Sequence, residues 1–474
     1  MPIGRFLSLS KGIRTEKSLG GELALVTPGY SLRLQSCPSY ILDGLSSLAD
    51  PGTAEGELTD FIYKAGGAEG LAFWYHQLQS LARRGLLQIS VVVDKNPIAT
   101  LEPMSDEFLF EPKTGPRDGT YVLSRFAYLR RDGSDFLLES PRSLARLVIH
   151  EPSVMAFMES IRLPMKSENA GTDDLKRSLL SLFIDAAMVT EVTPDGVPTE
   201  DKDSSVVTWD FHDLLFHARS RPGRHNYKSG AVFPHPDRLA PALKERSNVS
   251  SQSIALYKPS LKELEEKDDP FCVVQERRKS QCKYSEAPLS VTQLGEFLFR
   301  VARIKGMGER SLDTPHGPVN VEFTARPYPA GGSLYELEFY IVVHRCEGVA
   351  AGMYHYDPLN HCLDRLKEQT AEVRGLLRDA ATASMMDFSK LQILIILAAR
   401  PQRLSWKYGS IAYALILKNV GVVYQTMYLA ASAMGLAPCG LGSGNSRLFA
   451  RATGLLNDCE ETSVGEFILG NGIT

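Results

Sequence analysis

Lys407 and Tyr408 stand side by side, directly ahead of a nearly unbroken apolar run that extends to Gly435. An ammonium and a phenol are both proton-transfer groups. At the mouth of an apolar helix they mark either a surface accident or a place where a buried cavity meets solvent. Three further stretches carry residue types with chemical uses. In ERRKSQCKY (276–284), Arg277, Arg278, Lys279 and Lys283 crowd Ser280. Guanidinium forks beside a hydroxyl suit a phosphate dianion, although on composition alone a solvated charge run is the simpler reading. In ARPYPAGGS (325–333), a Pro-rich turn runs into Gly331, Gly332 and Ser333, where backbone could approach a flat ligand; a plain glycine turn before a strand is equally common. Gly440, Leu441 and Gly442, with Gly444 beyond, invite a dinucleotide reading. That motif needs a preceding strand, a βαβ unit and a ribose-binding acid about 20 residues on. Here an apolar helix precedes it, so a Rossmann site is rejected. His212, His217, His225, His344, His355 and His361 lack the spacing of a zinc protease helix; they read as structural, and no metal is expected.

A chain of 474 residues exceeds one hydrophobic core, so two or three domains must position these groups. Its 43% hydrophobic and 23% charged residues are those of a globular protein, and a formal charge of -4 favours neither nucleic acid nor an anionic membrane as partner. Seven scattered cysteines without a C-x-x-C pair read as free thiols in a reducing compartment. The opening MPIGRFLSLSKGIRT lacks the apolar run of a signal peptide. The apolar stretch 405–435 carries Lys418, Asn419 and Gln425 near its centre, each costly in lipid. A buried helix and a cytoplasmic location are therefore expected.

The first ~200 residues echo themselves weakly. GGELALVTPGYSLRLQ (20–35) and GSDFLLESPRSLARLV (133–148) each pair an alternating stretch with a Pro break and a second apolar stretch. Each is followed later by an amphipathic helix with a β-prone tail, at 74–93 and 175–192, with Gly85 placed to end the first. They read as two small winged-helix-like modules, 1–100 and 101–200, forming a binding region without a nucleophile. The polar stretch 193–205 marks a boundary, and 244–253 is a second soft segment. Beyond it, 332–345 alternates like a half-buried strand, and 352–366 forms a hairpin turned at Asp357–Asn360. A fully buried strand is expected at 391–400, and a terminal one at 464–472.

The order Arg278-Lys279-Ser280-x-x-x-Tyr284, then Pro288-Leu289-Ser290 and a helix, resembles the opening of the nitroreductase-like flavoproteins. Lys279 and Cys282 stand where that family has arginines, so one charge is missing and Lys283 or Arg277 would substitute. The Lys407-Tyr408 pair, with WDFHDLLFHARSRPGRH and GMYHYDPLNHCLDRL, is similar to the FMN-dependent azoline dehydrogenases, in particular the thiazoline oxidases of cyanobactin pathways. The resemblance covers 205–474 well and 1–200 in architecture only. It implies an α+β fold: an antiparallel-dominated sheet flanked by helices over 205–474, preceded by tandem winged-helix-like peptide-recognition modules. It also implies FMN, with Arg278, Lys279 and Ser280 on the phosphate. The Gly331-Gly332-Ser333 turn would lie against the ring, with Ser333 supplying a hydroxyl because Ala330 replaces the usual Ser. Gly440, Leu441 and Gly442 would form a loop over the reactive edge. Gly421 and Gln425 match a Glu-x-Gly-x-x-x-Gln pattern in which Asn419 replaces the Glu. The apolar helix would be buried on all faces in a homodimer, with the flavin between chains.

The implied reaction oxidises an azoline-containing precursor peptide, with oxygen as electron acceptor. Tyr408 is a plausible base, but a free phenol near ~10 titrates too high unaided. A neighbouring Lys407 ammonium would lower it. Since adjacent helical residues do not face each other, the pair must lie in an irregular turn, as Gly409 allows. A hydrogen-bonding role for either residue stays open. The rival readings are an NAD(P)H-dependent nitro or quinone reductase, a non-catalytic leader-peptide-binding scaffold, and an enzyme of flavin breakdown.

Overall fold

The computed structural model describes residues 3–17, 23–34, 37–49, 51–111, 118–170, 173–235, 252–455 and 459–473. Contacts divide the chain into two units, Met1–Tyr227 and Lys228–Thr474. The polar stretch 193–205 is therefore not the observed boundary. The segment 209–225 belongs to the first unit, where Tyr227 receives hydrogen bonds from Arg130 and Arg146 and bonds Glu139. The soft segment 244–253 lies largely outside the described residues.

In the first unit, Thr53–Ala54, Ile3–Leu9, Leu87–Val93, Asn96–Pro103, Ala145–Ile149, Asp135–Glu139 and Tyr128–Asp132 form one antiparallel sheet in that order. The expected division at residue 100 falls inside Asn96–Pro103, which pairs on both sides. Period-two alternation sorts this sheet. Leu87, Ile89, Val91, Leu101 and Leu147 enter the core with Trp74 and Leu78 of the helix Glu55–Arg83, while Gln88, Ser90, Thr100 and Arg146 take the other face. Gly85, at φ 66, ends that helix as expected. The two-residue turn Asp94-Lys95, at φ 48 and 69, then closes a hairpin. The echoed segments are both hairpins, Leu23–Val26 with Ser31–Leu34 and Asp135–Glu139 with Ala145–Ile149, but they belong to different sheets.

The second unit has a seven-stranded antiparallel sheet ordered Ser253–Ala255, Cys362–Glu368, Gly352–Asp357, Leu337–Val343, Ile393–Ala399, Thr462–Asn471, Leu436–Leu441. Helices Val291–Ala302 and Ala412–Ala433 share an apolar cluster on one face. Ala371–Ala383 and Ser446–Thr453 share a second cluster on the other. Leu337–Val343 is buried throughout rather than half-buried. Its odd positions, Leu337, Phe339 and Ile341, join the first cluster, and Tyr340 and Val342 join the second. The hairpin at 352–366 turns as expected, with the Asp357 carboxylate accepting from the Leu359 and Asn360 amides at 2.8 and 3.0 Å. Ser290 and Gln293 cap the helix at Val291 reciprocally. Among the described residues, no helix is long and apolar enough to cross a membrane.

Candidate functional site

Lys407 and Tyr408 lie in the irregular turn between the short helix Gln402–Ser405 and the long helix Ala412–Ala433. Backbone bonds to both sides pin this turn. Tyr408 N–H donates to Leu404 at 2.8 Å, and Phe233 N–H donates to the Lys407 carbonyl at 3.0 Å. Gly409 N–H donates to Gly230 at 2.9 Å. Gly409 is required here, because a Cβ would lie 2.6 Å from the Lys228 carbonyl oxygen. Trp406, next to the pair, meets Phe233 edge to face at 5.3 Å and packs in one cluster with Val321. Val321 lies on the hairpin Gly306–Thr314/Gly317–Ala325, which is thereby tied to the turn.

The Gly331-Gly332-Ser333 turn faces the pair. Gly332 is left-handed at φ +65, and a Cβ there would lie 2.5 Å from the Tyr408 hydroxyl and 3.3 Å from Lys407 Nζ. Asn419 fixes the turn from behind. Its carbonyl accepts from Gly331 N–H at 3.2 Å, and its amide donates to buried Glu336 at 2.8 Å. The hairpin supplies a group that no local motif announced: Arg310, which donates to the Gly332 carbonyl at 3.0 Å. Neither Arg310 nor Lys407 forms an ion pair with a carboxylate among the described residues.

The electrostatics correct one expectation. Lys407 does not dominate the Tyr408 titration; its ammonium sits over the ring face, 5.3 Å from the centroid, where it meets the π-system. Burial pushes the Tyr408 phenol up, and Arg310 is the cation that pulls against it. Burial pushes the Lys407 ammonium down, and Arg310 adds like-charge repulsion in the same direction. Both groups are thus biased toward their neutral forms.

A second cluster gathers the phosphate candidates. The Ser280 hydroxyl lies 2.8 Å from the Tyr428 hydroxyl, and the Arg278 guanidinium lies 5.4 Å from the Tyr428 ring centroid. Arg278 and Lys279 have no carboxylate partner among the described residues, so the donor set fits a dianion. Arg277 cannot supply the missing charge freely, because it is paired with Asp269. Gly440 N–H already donates to Tyr428 at 2.8 Å, and Gly440 and Leu441 belong to the edge strand Leu436–Leu441 rather than to a loop. A strand that holds the first glycine follows the apolar helix, which was not expected. Its antiparallel pairing with Thr462–Asn471 still excludes a Rossmann crossover. Leu441 and Gly442 line a hollow with Val420, Tyr424 and Glu466.

Asn419 and Tyr428 are nine positions apart on one helix, which puts them roughly half a turn out of phase. One chain therefore presents the two clusters on opposite sides of that helix. The helix is not buried all round either. Tyr413, Leu417, Gly421 and Gln425, spaced four apart, form an exposed stripe, with Tyr413 49% and Leu417 40% accessible. Among the described residues, neither the Gln425 side chain nor the Ser333 hydroxyl has a hydrogen-bond partner.

The histidines at 355 and 361 are structural: His355 bonds Glu338 at 3.0 Å, and His361 bonds Tyr356 at 2.7 Å. Asp357, Cys362 and Asp364 form a separate group whose ligand atoms lie close together. None of the seven cysteines is joined in a disulfide among the described residues. In the first unit, the polar sheet face lines a cavity of about 1060 Å³. Ser90, Thr100 and His150 are joined across it by two 2.9 Å bonds, while Gln88 and Arg146 both donate to Glu102.

Residues 1–111 match the ThcOx helix-turn-helix domain, 121–226 match the cyanobactin oxidase ThcOx, and 275–470 match the nitroreductase family. A Methanocaldococcus jannaschii protein carrying a nitroreductase name is 29% identical over 167 residues, 35% of this chain and 75% of that protein. The microcin B17-processing protein McbC of Escherichia coli is 29% identical over 115 residues, 23% of this chain. The trifolitoxin-processing protein TfxB of Rhizobium leguminosarum is 25% identical over 126 residues, 26% of this chain. The chain spans 42% of McbC and 34% of TfxB. Among solved structures, the E. coli microcin synthetase McbBCD complex with truncated pro-MccB17 bound aligns at 17% identity and TM-score 0.35, over 55% of this chain and 91% of that one. A nitroreductase-type structure from Ralstonia eutropha aligns at 20% identity and TM-score 0.35, over 50% and 97%. The family matches are to oxidoreductases. Residues 275–470 thus form a nitroreductase-family domain, preceded by the segments that match the ThcOx helix-turn-helix domain and the cyanobactin oxidase ThcOx.

Proposed function

We propose that this protein oxidises azoline rings of a precursor peptide to azoles, with FMN held at a homodimer interface and oxygen taking up the electrons. The observation that carries the reading is the convergence of Lys407, Tyr408 and Arg310 on the Gly331-Gly332 turn within a nitroreductase-family domain. The ThcOx matches over 1–111 and 121–226 support the peptide substrate. FMN, when bound, would supply a hydride acceptor in a flat ring. Arg278, Lys279 and Ser280 would hold its phosphate, and the Asn419-fixed glycine turn would lie against the ring with backbone where side chains would collide. Gln425, Leu441 and Gly442 would reach it from the exposed side of the helix. The exposed stripe and the half-turn between the clusters support a site completed by a second copy. In this reading the oxidase follows an N-terminal recognition region whose two proposed modules share one sheet. The polar cavity and free strand edges of the first unit support peptide recognition there.

Azoline oxidation removes a proton from the α-carbon and a hydride from the neighbouring methylene. Lys407 and Tyr408 are the groups available for the proton. The opposite directions of their shifts favour Lys407, biased toward the free amine, as acceptor, with Tyr408 a neutral hydroxyl aimed at the same point. The test is aerobic incubation of the FMN-loaded protein with a thiazoline peptide, followed by mass spectrometry. Loss of two hydrogens per ring supports the reading. Rapid NADPH-driven reduction of a quinone with an unchanged peptide would favour the reductase, the reading that the nitroreductase-named relative supports.

A further inference from the structure

Arg310 lies outside every motif in the sequence, on a two-stranded hairpin separate from the main sheet. The hairpin register pairs Arg310 with Val321, the residue that packs with Trp406 directly before Lys407. Its strand neighbourhood also holds Phe323, whose ring lies 5.6 Å from the guanidinium. From there the side chain reaches the Gly332 carbonyl at 3.0 Å, and Gly332 is the point on which Lys407 Nζ and the Tyr408 hydroxyl converge. Two cations thus share one small space, and among the described residues no carboxylate is paired to either.

We propose that Arg310 is a positioning residue for proton transfer: it anchors the glycine turn and sets a second cation beside the space that Lys407 and Tyr408 share. The inference rests on the proposed oxidation for its functional meaning, but the placement of the charge does not depend on it. Among the described residues, these charged and titratable groups lie around Lys407. Tyr408 comes from its own turn and Arg310 from the hairpin; behind the glycine turn lie Glu336, bonded through Asn419, and Arg403, which donates to the Leu334 carbonyl at 2.8 Å. The facing segment meets the turn through the backbone of Lys228 and Gly230. Of these, Arg310 is the charge that acts on both Lys407 and Tyr408. A neighbouring cation disfavours an ammonium and favours a phenolate. Removing Arg310 therefore moves both ionisations to higher pH, whichever group takes the proton.

The experiment is competitive acylation of the full-length FMN-loaded protein across pH, with Lys407 labelling followed by peptide mass spectrometry in wild type, Arg310→Gln and Arg310→Lys. In Arg310→Gln the Lys407 labelling curve should move to higher pH. In Arg310→Lys, which keeps the charge and loses the fork, it should stay close to wild type. Azoline oxidation should follow the same order, with Arg310→Gln about tenfold slower at neutral pH and recovering as pH rises. A labelling curve unmoved in Arg310→Gln would overturn the proposal. So would a glutamine variant whose rate loss is the same at every pH, which is the signature of a structural role. If the curve moves but no variant oxidises an azoline, the charge placement stands and the proposed reaction fails.

Discussion

Gly332 allows the geometry of the site to be tested at one atom. Gly332→Ala adds a Cβ at a left-handed residue, φ +65, which costs about 1 kcal/mol for an L side chain. The new atom would lie 2.5 Å from the Tyr408 hydroxyl. Contact at about 3.5 Å requires the phenol or the turn to give by about 1 Å. A misplacement of that size costs about 100-fold in rate when it falls on reacting groups. The stability cost should lower the melting temperature by only about 2–4 °C, so the variant should fold, retain FMN and lose most of its kcat. Gly435→Ala is the matched control, since Gly435 is equally left-handed at φ +66 but has nothing within 4 Å of its Cβ, and it should stay near wild type. The assay is steady-state oxidation of an azoline peptide, with a thermal melt and flavin absorbance on the same samples. Wild-type turnover in Gly332→Ala, or equal losses in both variants, would refute the reasoning.

Lys407→Ala and Tyr408→Phe should each remove most azoline oxidation with FMN still bound, and the double variant should be little worse, since residues acting as a unit are non-additive. Arg278→Ala should weaken FMN retention about 100-fold through loss of a charge-assisted partner, whereas Arg277→Ala, whose guanidinium is committed to Asp269, should change it little in a fluorescence titration. Leu417→Glu puts a charge in the exposed stripe and should give a monomer by light scattering, with FMN binding lost alongside. Burial alone would push the Glu338 carboxyl up, but the His355 hydrogen bond and the His355, Arg326 and Arg400 charges outweigh it and hold it at about 2. A folded-state value below the unfolded one means stability that is full above the ordinary carboxylate range and lost as pH falls toward 2. Glu338→Gln should therefore cost roughly 3 kcal/mol at neutral pH in urea melts and flatten the acid limb.

What local pattern encodes was legible in the sequence. The Ser290/Gln293 box starts its helix, Asp357 turns its hairpin, and the Ile393–Ala399 run is buried on both faces. What depends on distant partners was not. The 209–225 segment read as the start of the second domain because nothing nearby shows that Tyr227 bonds Arg130, Glu139 and Arg146. Gly440 and Leu441 were expected in a loop because the resemblance implied one, yet they lie in an edge strand, where Pro438 is tolerated. The alternation of 332–345 was visible, but not that a second apolar cluster covers its other face. At the site, Lys407 and Tyr408 stood out by type and adjacency. Arg310 is about 100 positions away in sequence and resembles any exposed strand arginine until the hairpin brings it to the Gly332 carbonyl.

The visible spectrum of the FMN-reconstituted protein, mixed without oxygen with an azoline peptide, tests the central claim most directly. The account predicts that the oxidised flavin band bleaches in proportion to azole formed and returns when air is admitted. A band that azoline peptide leaves unchanged, while NADPH bleaches it at once, would contradict it.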